Sequence, residues 1–476
     1  MFSSPVNIEV LATITLFLYA LAIVCAAREI MYGRTSQGSI AWLLSLFFLP
    51  FPTVFLYFIF AWKRFEDYQR VERTVSYFEQ AVLQRFTSFV DDTANAAWPV
   101  HNRITSLPFL RGNECELLQN GPATLDSILK GIAKAQRFIL VQFFIIRHDE
   151  TGERLANALI ERATSGVEVF LLYDDIGSRQ LSYAYIERLQ EAGVRVSGFN
   201  KRHRWLRMLG PMRLNYRNHR KIVVTDGTTS WVGGHNIGDE YMGKSAVFGK
   251  WRDTHVRVSG PACAATSLSF VQDWFWATGN PPNITLPDTM PTPGQEPVLT
   301  MPTGPADKQE DCAIAFVETI SRARERLWLV SPYFVPGIEI LTALYAAALR
   351  GVDVRILLPE KADHWLVWLA SYAHADDLAR HGIKVYRYLE GFLHEKVVLV
   401  DDTLAGIGTV NMDNRSMAIN FEITQWFTGT KMIASVSDML RADFTNARPT
   451  NQQELADRAY GFRILARAAR LFSPVL

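Results

Sequence analysis

Apolar positions crowd the start of this chain. Residues 10–27 form a run without charge or proline, and residues 40–62 form a second run rich in Phe, Leu and Trp. Each approaches the ~20 residues that cross a hydrocarbon core as a helix. Residues 1–9 hold no Lys or Arg, so the basic flank of a cleaved signal peptide is missing. "LPFP" (49–52) interrupts the second run and predicts a kink, with a re-entrant segment as the alternative. Arg28 and Arg34 lie in the connecting turn, and Lys63, Arg64, Arg70 and Arg73 follow the second run. That bias predicts the large C-terminal part on the cytoplasmic side.

Beyond residue 62 the pattern changes. Residues 63–105 are polar and read as a linker helix. The chain then repeats itself. "RFILVQFFII" (137–146) parallels "RLWLVSPYFV" (326–335); "SGVEVFLLYDD" (165–175) parallels "RGVDVRILLPE" (350–360); "AGVRVSGF" (192–199) parallels "HGIKVYRY" (381–388). Amphipathic helical stretches such as 153–164 and 338–349 lie between these strands, which predicts βαβ units and largely parallel sheets. The fold class is therefore α/β. A two-span segment (1–62) and the linker helix (63–105) precede two α/β sandwich repeats, 106–279 and 311–476, joined by a proline-rich linker, 280–310. The first copy alone inserts Lys201, Arg202, Arg204, Arg207, Arg213 and Arg217 among Trp205, Leu206, Met208 and Leu209. This insertion reads either as a solvated loop or as an interfacial segment meeting anionic lipid. "WLVWLASY" (365–372) reads as core helix or as a contact for acyl chains.

Two stretches break the apolar logic. "NHRKIVVTD" and "LHEKVVLVD" both follow His-x-Lys-x-x-x-x-Asp, with aliphatic residues filling the gap. Positions two apart in a strand share a face. His219 with Lys221, and His394 with Lys396, thus project from the open ends of two core strands. Each copy is followed by a glycine turn and an asparagine, Asn236 in "WVGGHN" and Asn411 in "GIGTVN". If the copies face each other, one cleft holds two imidazoles, two ammoniums and two amides. That set suits a phosphate diester, because cations and N–H donors stabilise its non-bridging oxygens. One histidine attacks phosphorus and the other protonates the leaving oxygen. The longer, more basic flank of His219 favours it as the nucleophile, while the near symmetry of the two sets leaves His394 as the alternative. Asp253 and Glu422 lie about thirty residues after their respective histidines, and each is expected to orient the histidine of its own copy. Asp226 and Asp401 fall at the far ends of the strands and read as caps of the turns that follow. His235 and His255 read as ordinary structural residues.

Composition narrows the field. The 476 residues carry a net charge of +1, so no nucleic-acid partner is supported. Four scattered cysteines have no zinc or disulfide spacing. No Walker A loop, nucleophile elbow or His-Glu-x-x-His is present. Two lysines beside the histidines would repel a divalent ion, so no metal is expected.

The duplicated motif, with its trailing Gly-Gly or Gly-Thr and Asn, resembles the phospholipase D superfamily. Within it, the chain more closely resembles bacterial cardiolipin synthases of the membrane-anchored type, through "QFFIIRHDETG", "NHRKIVVTDGTTSWVGGHNIGDEY", "WRDTHVRVSGP", "SPYFVP" and "GTVNMDNRSMAINFEI". His148 and His235 depart from the residues expected at their places. The resemblance implies two phospholipase D-like α/β domains sharing one active site. Asp226 and Asp401 complete the motif and so join His219, Lys221, His394 and Lys396 in the implied catalytic set. It also implies transfer of a phosphatidyl group between two phosphatidylglycerols, giving cardiolipin and glycerol, with no cofactor and no metal. The implied partners are phosphatidylglycerol, other anionic phospholipids and the membrane, with a homo-oligomer left open. The implied location is the bacterial inner membrane, multi-pass, with catalytic domains in the cytoplasm. Rival readings are a phospholipase D that releases phosphatidic acid, a nuclease of the same superfamily, and an inactive membrane scaffold.

Overall fold

The computed structural model describes residues 5–61, 68–69, 71, 82, 84–105, 107–200 and 215–473. The basic insertion from Lys201 to Arg213, with Trp205, lies outside the described residues, as does most of the linker helix expected over 63–105. The described part of that linker holds two short helices, Asp92–Ala97 and Pro99–Ile104. The chain divides into two compact units, one holding the N-terminal apolar helices and the other both copies of the repeat.

The N-terminal unit has helices α1 (Pro5–Tyr32), α2 (Ser36–Phe48) and α3 (Pro50–Phe60). Within α1, Glu9–Tyr32 has a mean hydropathy of 2.5 and is the single helix among the described residues long and apolar enough to cross a membrane. The second apolar run is not one helix. It breaks at Leu49, where φ is −136° and ψ 59°. Pro50 excludes its predecessor from the helical region and lacks an N–H, so it can only begin a new helix. The 13- and 11-residue pieces are each short of a full crossing. Ala22 and Cys25 of α1 pack against Leu46, Val54 and Tyr57, while Leu16, Phe17, Phe47 and Phe48 face outward.

The second unit is built on one 15-stranded sheet. Its strands come from a chain-wide set: β1 (Leu110–Gln119), β2 (Phe138–Phe143), β3 (Glu168–Tyr173), β4 (Arg195–Gly198), β5 (Ile222–Thr225), β6 (Thr229–Gly233), β7 (Trp251–Arg252), β8 (Thr254–Ser259), β9 (Glu296–Thr303), β10 (Arg326–Val330), β11 (Phe334–Val335), β12 (Asp353–Pro359), β13 (Lys384–Tyr388), β14 (Phe392–Leu393), β15 (Val397–Val400), β16 (Leu404–Gly408), β17 (Met412–Asp413), β18 (Glu422–Phe427) and β19 (Ala447–Pro449). One half of the sheet runs β4-β3-β2-β5-β6-β8-β1. The other mirrors it as β13-β12-β10-β15-β16-β18-β9, with β19 at its edge. β1 and β9 pair antiparallel and join the halves.

Within this sheet only β2-β3-β4 and β10-β12-β13 are parallel. The expected largely parallel sheets are thus parallel only at their flanks. β5-β6 and β15-β16 are joined by tight hairpins, which force antiparallel pairing. Asp226 and Gly227, with φ of 54° and 71°, make the first hairpin in the left-handed region such turns need. Strand β9 lies inside the stretch expected to be linker. Its two prolines, Pro297 and Pro302, suggest coil, yet Val298–Thr303 pairs with β18. Helix Cys263–Thr278 is buried on nearly every side. Its Trp274 packs edge-on against Phe170 of β3. Strands β2, β5, β15 and β18 are buried at every position. In β5 and β15 that burial goes with the largely aliphatic runs of sheets covered on both faces.

Candidate active site

His219 and Lys221 immediately precede β5, and His394 and Lys396 precede β15. They sit in extended backbone outside the ladder rather than within the strands as the pattern predicts. There the backbone is bonded across to the other copy. The His219 N–H donates to the Phe421 carbonyl at 2.9 Å, and Phe421 N–H to the Arg217 carbonyl at 2.9 Å. Opposite, β7 and β14 pair in parallel, and His394 N–H donates to the Arg252 carbonyl at 2.8 Å.

These bridges set the carboxylates. Glu422 follows Phe421, and Asp253 follows Arg252. His219 Nδ1 lies 2.9 Å from Glu422 Oε2, and His394 Nδ1 lies 2.7 Å from Asp253 Oδ2. This corrects the expectation of pairing within each copy: Asp253 does not orient His219, and Glu422 does not orient His394. The pairing is crossed. A carboxylate at Nδ1 holds the ring proton there and leaves the Nε2 lone pair free.

Both imidazoles are nearly buried, at 8% and 6% exposure. Burial drives both pKa values down. For His219 the Glu422 charge opposes that shift; for His394, lowered to about 3, the Lys396 ammonium adds to it. Lys221 Nζ donates to the His219 carbonyl at 2.7 Å, and Lys396 Nζ donates to the His394 carbonyl. Burial pushes Lys221 well below its ordinary value and Lys396 down to about 8, against the attraction of Glu422 and Asp253 respectively. Burial alone would raise both carboxyls. The surrounding imidazoles and lysines overcome it and hold Asp253 and Glu422 below the usual carboxylate range.

Asn236 and Asn411 are also buried in this region. Asn236 Oδ1 accepts the Ile145 N–H at 3.1 Å, whereas Asn411 Oδ1 has no partner among the described residues. Asp226 and Asp401 take no part here. Asp226 accepts the N–H groups of Gln136, Arg137 and Phe138, and Asp401 those of Arg324, Glu325 and Arg326. They pin the entries of β2 and β10 rather than capping the turns that follow them.

Several neighbours escaped the sequence reading. Thr409 Oγ1 donates to Glu422 Oε2 at 2.5 Å, and Ser416 Oγ to Oε1 at 2.8 Å. Asn420 Nδ2 donates to Oε1 at 3.2 Å. The signal was the cluster of small polar residues in an otherwise apolar "GTVNMDNRSMAINFEI". Around Asp253, Gly234 leaves the room: a Cβ there would come within 2.0 Å of Asp253 Oδ1. His235, read as ordinary, is buried beside Asp253, and its charge would act on that carboxyl. Arg252 ties the halves together, reaching Glu395 at 2.8 Å and Asp443 at 2.7 Å. Arg220 does the same from the other side, donating to Asp273 at 2.9 Å, to the Glu422 carbonyl at 2.9 Å and to the Thr303 carbonyl at 3.0 Å.

Two repeats that present matching His-Lys pairs at equivalent strand entries define a phospholipase D-like protein. The family described as "Cardiolipin synthase, PLD-like domain" matches residues 128–247 and 316–444, one match per copy. "Phospholipase_D-nuclease N-terminal" matches residues 20–62. Cardiolipin synthase A of Pseudomonas syringae pv. syringae is 42% identical over 474 residues, 97% of each chain. Cardiolipin synthase A of Pseudomonas fluorescens is 41% identical over 473 residues, 96% of this chain and 97% of the relative. The crystal structure of phosphatidylserine synthase from Haemophilus influenzae superposes with a TM-score of 0.61 at 15% identity, covering 79% of this chain and 99% of that one. At that identity the likeness is one of fold. The chain belongs to the cardiolipin synthase family, phosphatidyltransferases of the phospholipase D superfamily.

Proposed function

We propose that the protein condenses two phosphatidylglycerols into cardiolipin and glycerol at one active site shared by both copies. The observation that carries this reading is the crossed pairing: each histidine is held by a carboxylate from the other copy. Neither repeat alone supplies an oriented imidazole. Burial drives both imidazoles toward the neutral form and disfavours both ammoniums. A phosphate diester brings the negative charge that restores a proton to one imidazole and full charge to Lys221 and Lys396.

Nε2 of one histidine, proposed to be His219, attacks phosphorus. The bond from phosphorus to the glycerol oxygen breaks, and His394 gives that oxygen its proton. The now neutral His394 takes the proton of a free hydroxyl on the second phosphatidylglycerol. That oxygen attacks phosphorus, the phosphorus–nitrogen bond breaks, and His219 is regenerated. Asn236 and Asn411 are proposed to donate to the phosphate oxygens.

Further parts of the proposal concern placement. Helix α1 crosses the bacterial inner membrane, and α2 with α3 forms a second, broken membrane element. The basic residues that follow favour a cytoplasmic catalytic unit. Within it, residues 106–279 and 311–476 act as the two domains. The test is product analysis by mass spectrometry, with the full-length protein and phosphatidylglycerol as the sole lipid. Cardiolipin and glycerol in equal amounts are expected. Phosphatidic acid as the main product would make the protein a hydrolase, and no product would make it a scaffold.

A further inference from the structure

The C-terminal helix Tyr460–Leu471 has a composition that packing alone does not explain. Turning about 100° per residue, it places Phe462, Ala466 and Ala469 on one arc. That arc is spent on helix Trp365–Arg380: Phe462 meets Trp368 and Tyr372 edge-on at 5.9 and 5.3 Å, and Ala466 and Ala469 are buried. The apolar surface does not stop there. Tyr460, Ile464, Leu465 and Leu471 continue it around the helix and are 74%, 51%, 47% and 81% exposed, with Phe472 just beyond at 53%. Arg463, Arg467 and Arg470 form the remaining arc, with Arg470 ion-paired to Asp377 of helix Trp365–Arg380. No acidic residue occurs from Arg458 to Ser473.

This exposed face is attached to the site. Asn414, three residues after Asn411, donates through Nδ2 to the Ser473 carbonyl at 2.8 Å and to the Val335 carbonyl at 3.2 Å. At the start of the partner helix, Trp365 is 58% exposed. Asp363, two residues earlier, bonds the Tyr333 hydroxyl, and its charge acts on Lys396. A half-spent apolar face, bordered by arginines and tethered beside the reacting groups, matches an interfacial helix on an anionic bilayer. Arg463 and Arg467, with no acidic residue on the same helix to answer them, favour an anionic surface over a second protein.

We infer that helix Tyr460–Leu471, with Phe472 and Trp365, docks on an anionic phospholipid surface and holds the active site against it. The inference rests on the lipid-substrate reading of the site. It also gives the site a route to a bilayer-held substrate that α1 alone, a tether, does not define.

The test uses the full-length protein in vesicles, with an environment-sensitive fluorophore on Ile464→Cys. Background from the native cysteines is measured on the unsubstituted protein. Leu349→Cys is the control. It is 84% exposed and lies at the far end of the sheet, where Arg350 Nη2 donates to the Ser321 carbonyl at 3.0 Å. With brominated acyl chains and a phosphatidylglycerol-containing bilayer, the 464 label should be quenched several-fold and the 349 label only by aqueous iodide. Quenching at 464 by iodide alone overturns the inference. Protection from both quenchers that rises with protein concentration does so as well, because a second copy then covers the face. Equal bromine quenching in purely zwitterionic bilayers overturns the anionic assignment. A double variant, Ile464→Glu with Leu465→Glu, should form cardiolipin about tenfold more slowly on vesicles, the loss of roughly 1.4 kcal/mol, and at an unchanged rate on detergent-dispersed lipid. Equal loss in detergent counts against docking. Acyl-chain quenching without any cardiolipin formation would leave docking standing and remove the proposed reaction.

Discussion

Glu422 and Asp253 hold equivalent nitrogens on equivalent histidines, yet their surroundings differ. Glu422 sits in a net of three donors, Thr409, Ser416 and Asn420. Asp253 accepts the Thr254 N–H at 2.8 Å, and its space is secured by Gly234, where the second copy has Thr409. The shorter carboxylate fits close to the backbone beside a glycine; the longer one reaches a hydroxyl. The same orientation of an imidazole is thus achieved once by close approach and once by a donor net. Because the pairing is crossed, a change in one copy acts on the histidine of the other.

The largest effects should follow the crossing. His219→Ala and His394→Ala should each cost several orders of magnitude, since general acid–base help alone is worth about 10²–10⁴-fold. Asp253→Asn and Glu422→Gln should each cost between ~10² and ~10⁴-fold, through a misheld tautomer. Their signatures should differ. With labelled phosphatidylglycerol and no acid quench, Asp253→Asn should behave like His394→Ala and accumulate a phosphatidyl adduct on His219. Glu422→Gln should behave like His219→Ala and form none. An adduct on His394 in the Glu422→Gln protein would reverse the two roles while keeping the crossing. Reversed behaviour of the two carboxylate variants relative to the histidine variants would break the crossing itself.

Next come the devices that differ between the halves. Gly234→Ala forces Asp253 to move by about an ångström, which should lower the rate by roughly 10²-fold. Thr409→Val removes one donor from a buried carboxylate, at about 1–3 kcal/mol, and should be the milder change. Rates on detergent-dispersed phosphatidylglycerol would rank them.

Lys396 is the more readily measured cation. Burial pushes its ammonium down to about 8, so it is charged below that pH and neutral above it. The apparent affinity for phosphatidylglycerol should therefore fall as pH rises past about 8. A flat profile from pH 7 to 9 would assign the binding charge elsewhere.

The smallest effects should appear where the halves agree. Asp226→Asn and Asp401→Asn each weaken a cap on three backbone N–H groups. Each should lower stability by about 1–3 kcal/mol in chemical unfolding, with little change in rate per folded molecule. A loss of turnover without a loss of stability would return these residues to the catalytic set.

The chain's local pattern was enough to reveal the duplication, the His-Lys pairs, the strand and helix alternation and the apolar N-terminus. These follow from periodicity and from short motifs, which act over a few residues. Matches on both copies and near full-length relatives agree with the family that the motifs suggested. What local pattern does not contain is which distant segments pair. Asp253 and Glu422 were recognisable as carboxylates near the motifs, but their assignment depended on Phe421 bridging to Arg217 and His219, and on β7 lying beside β14. The same holds for β9, whose prolines resemble a linker until β1 and β18 flank it. It holds for Asp226 and Asp401, whose acceptors meet backbone some ninety and seventy-five residues away. Residue types and spacings determined the chemistry available to this protein. Long-range backbone pairing decided which group serves which, because a hydrogen bond between distant segments leaves no trace in the period of either one.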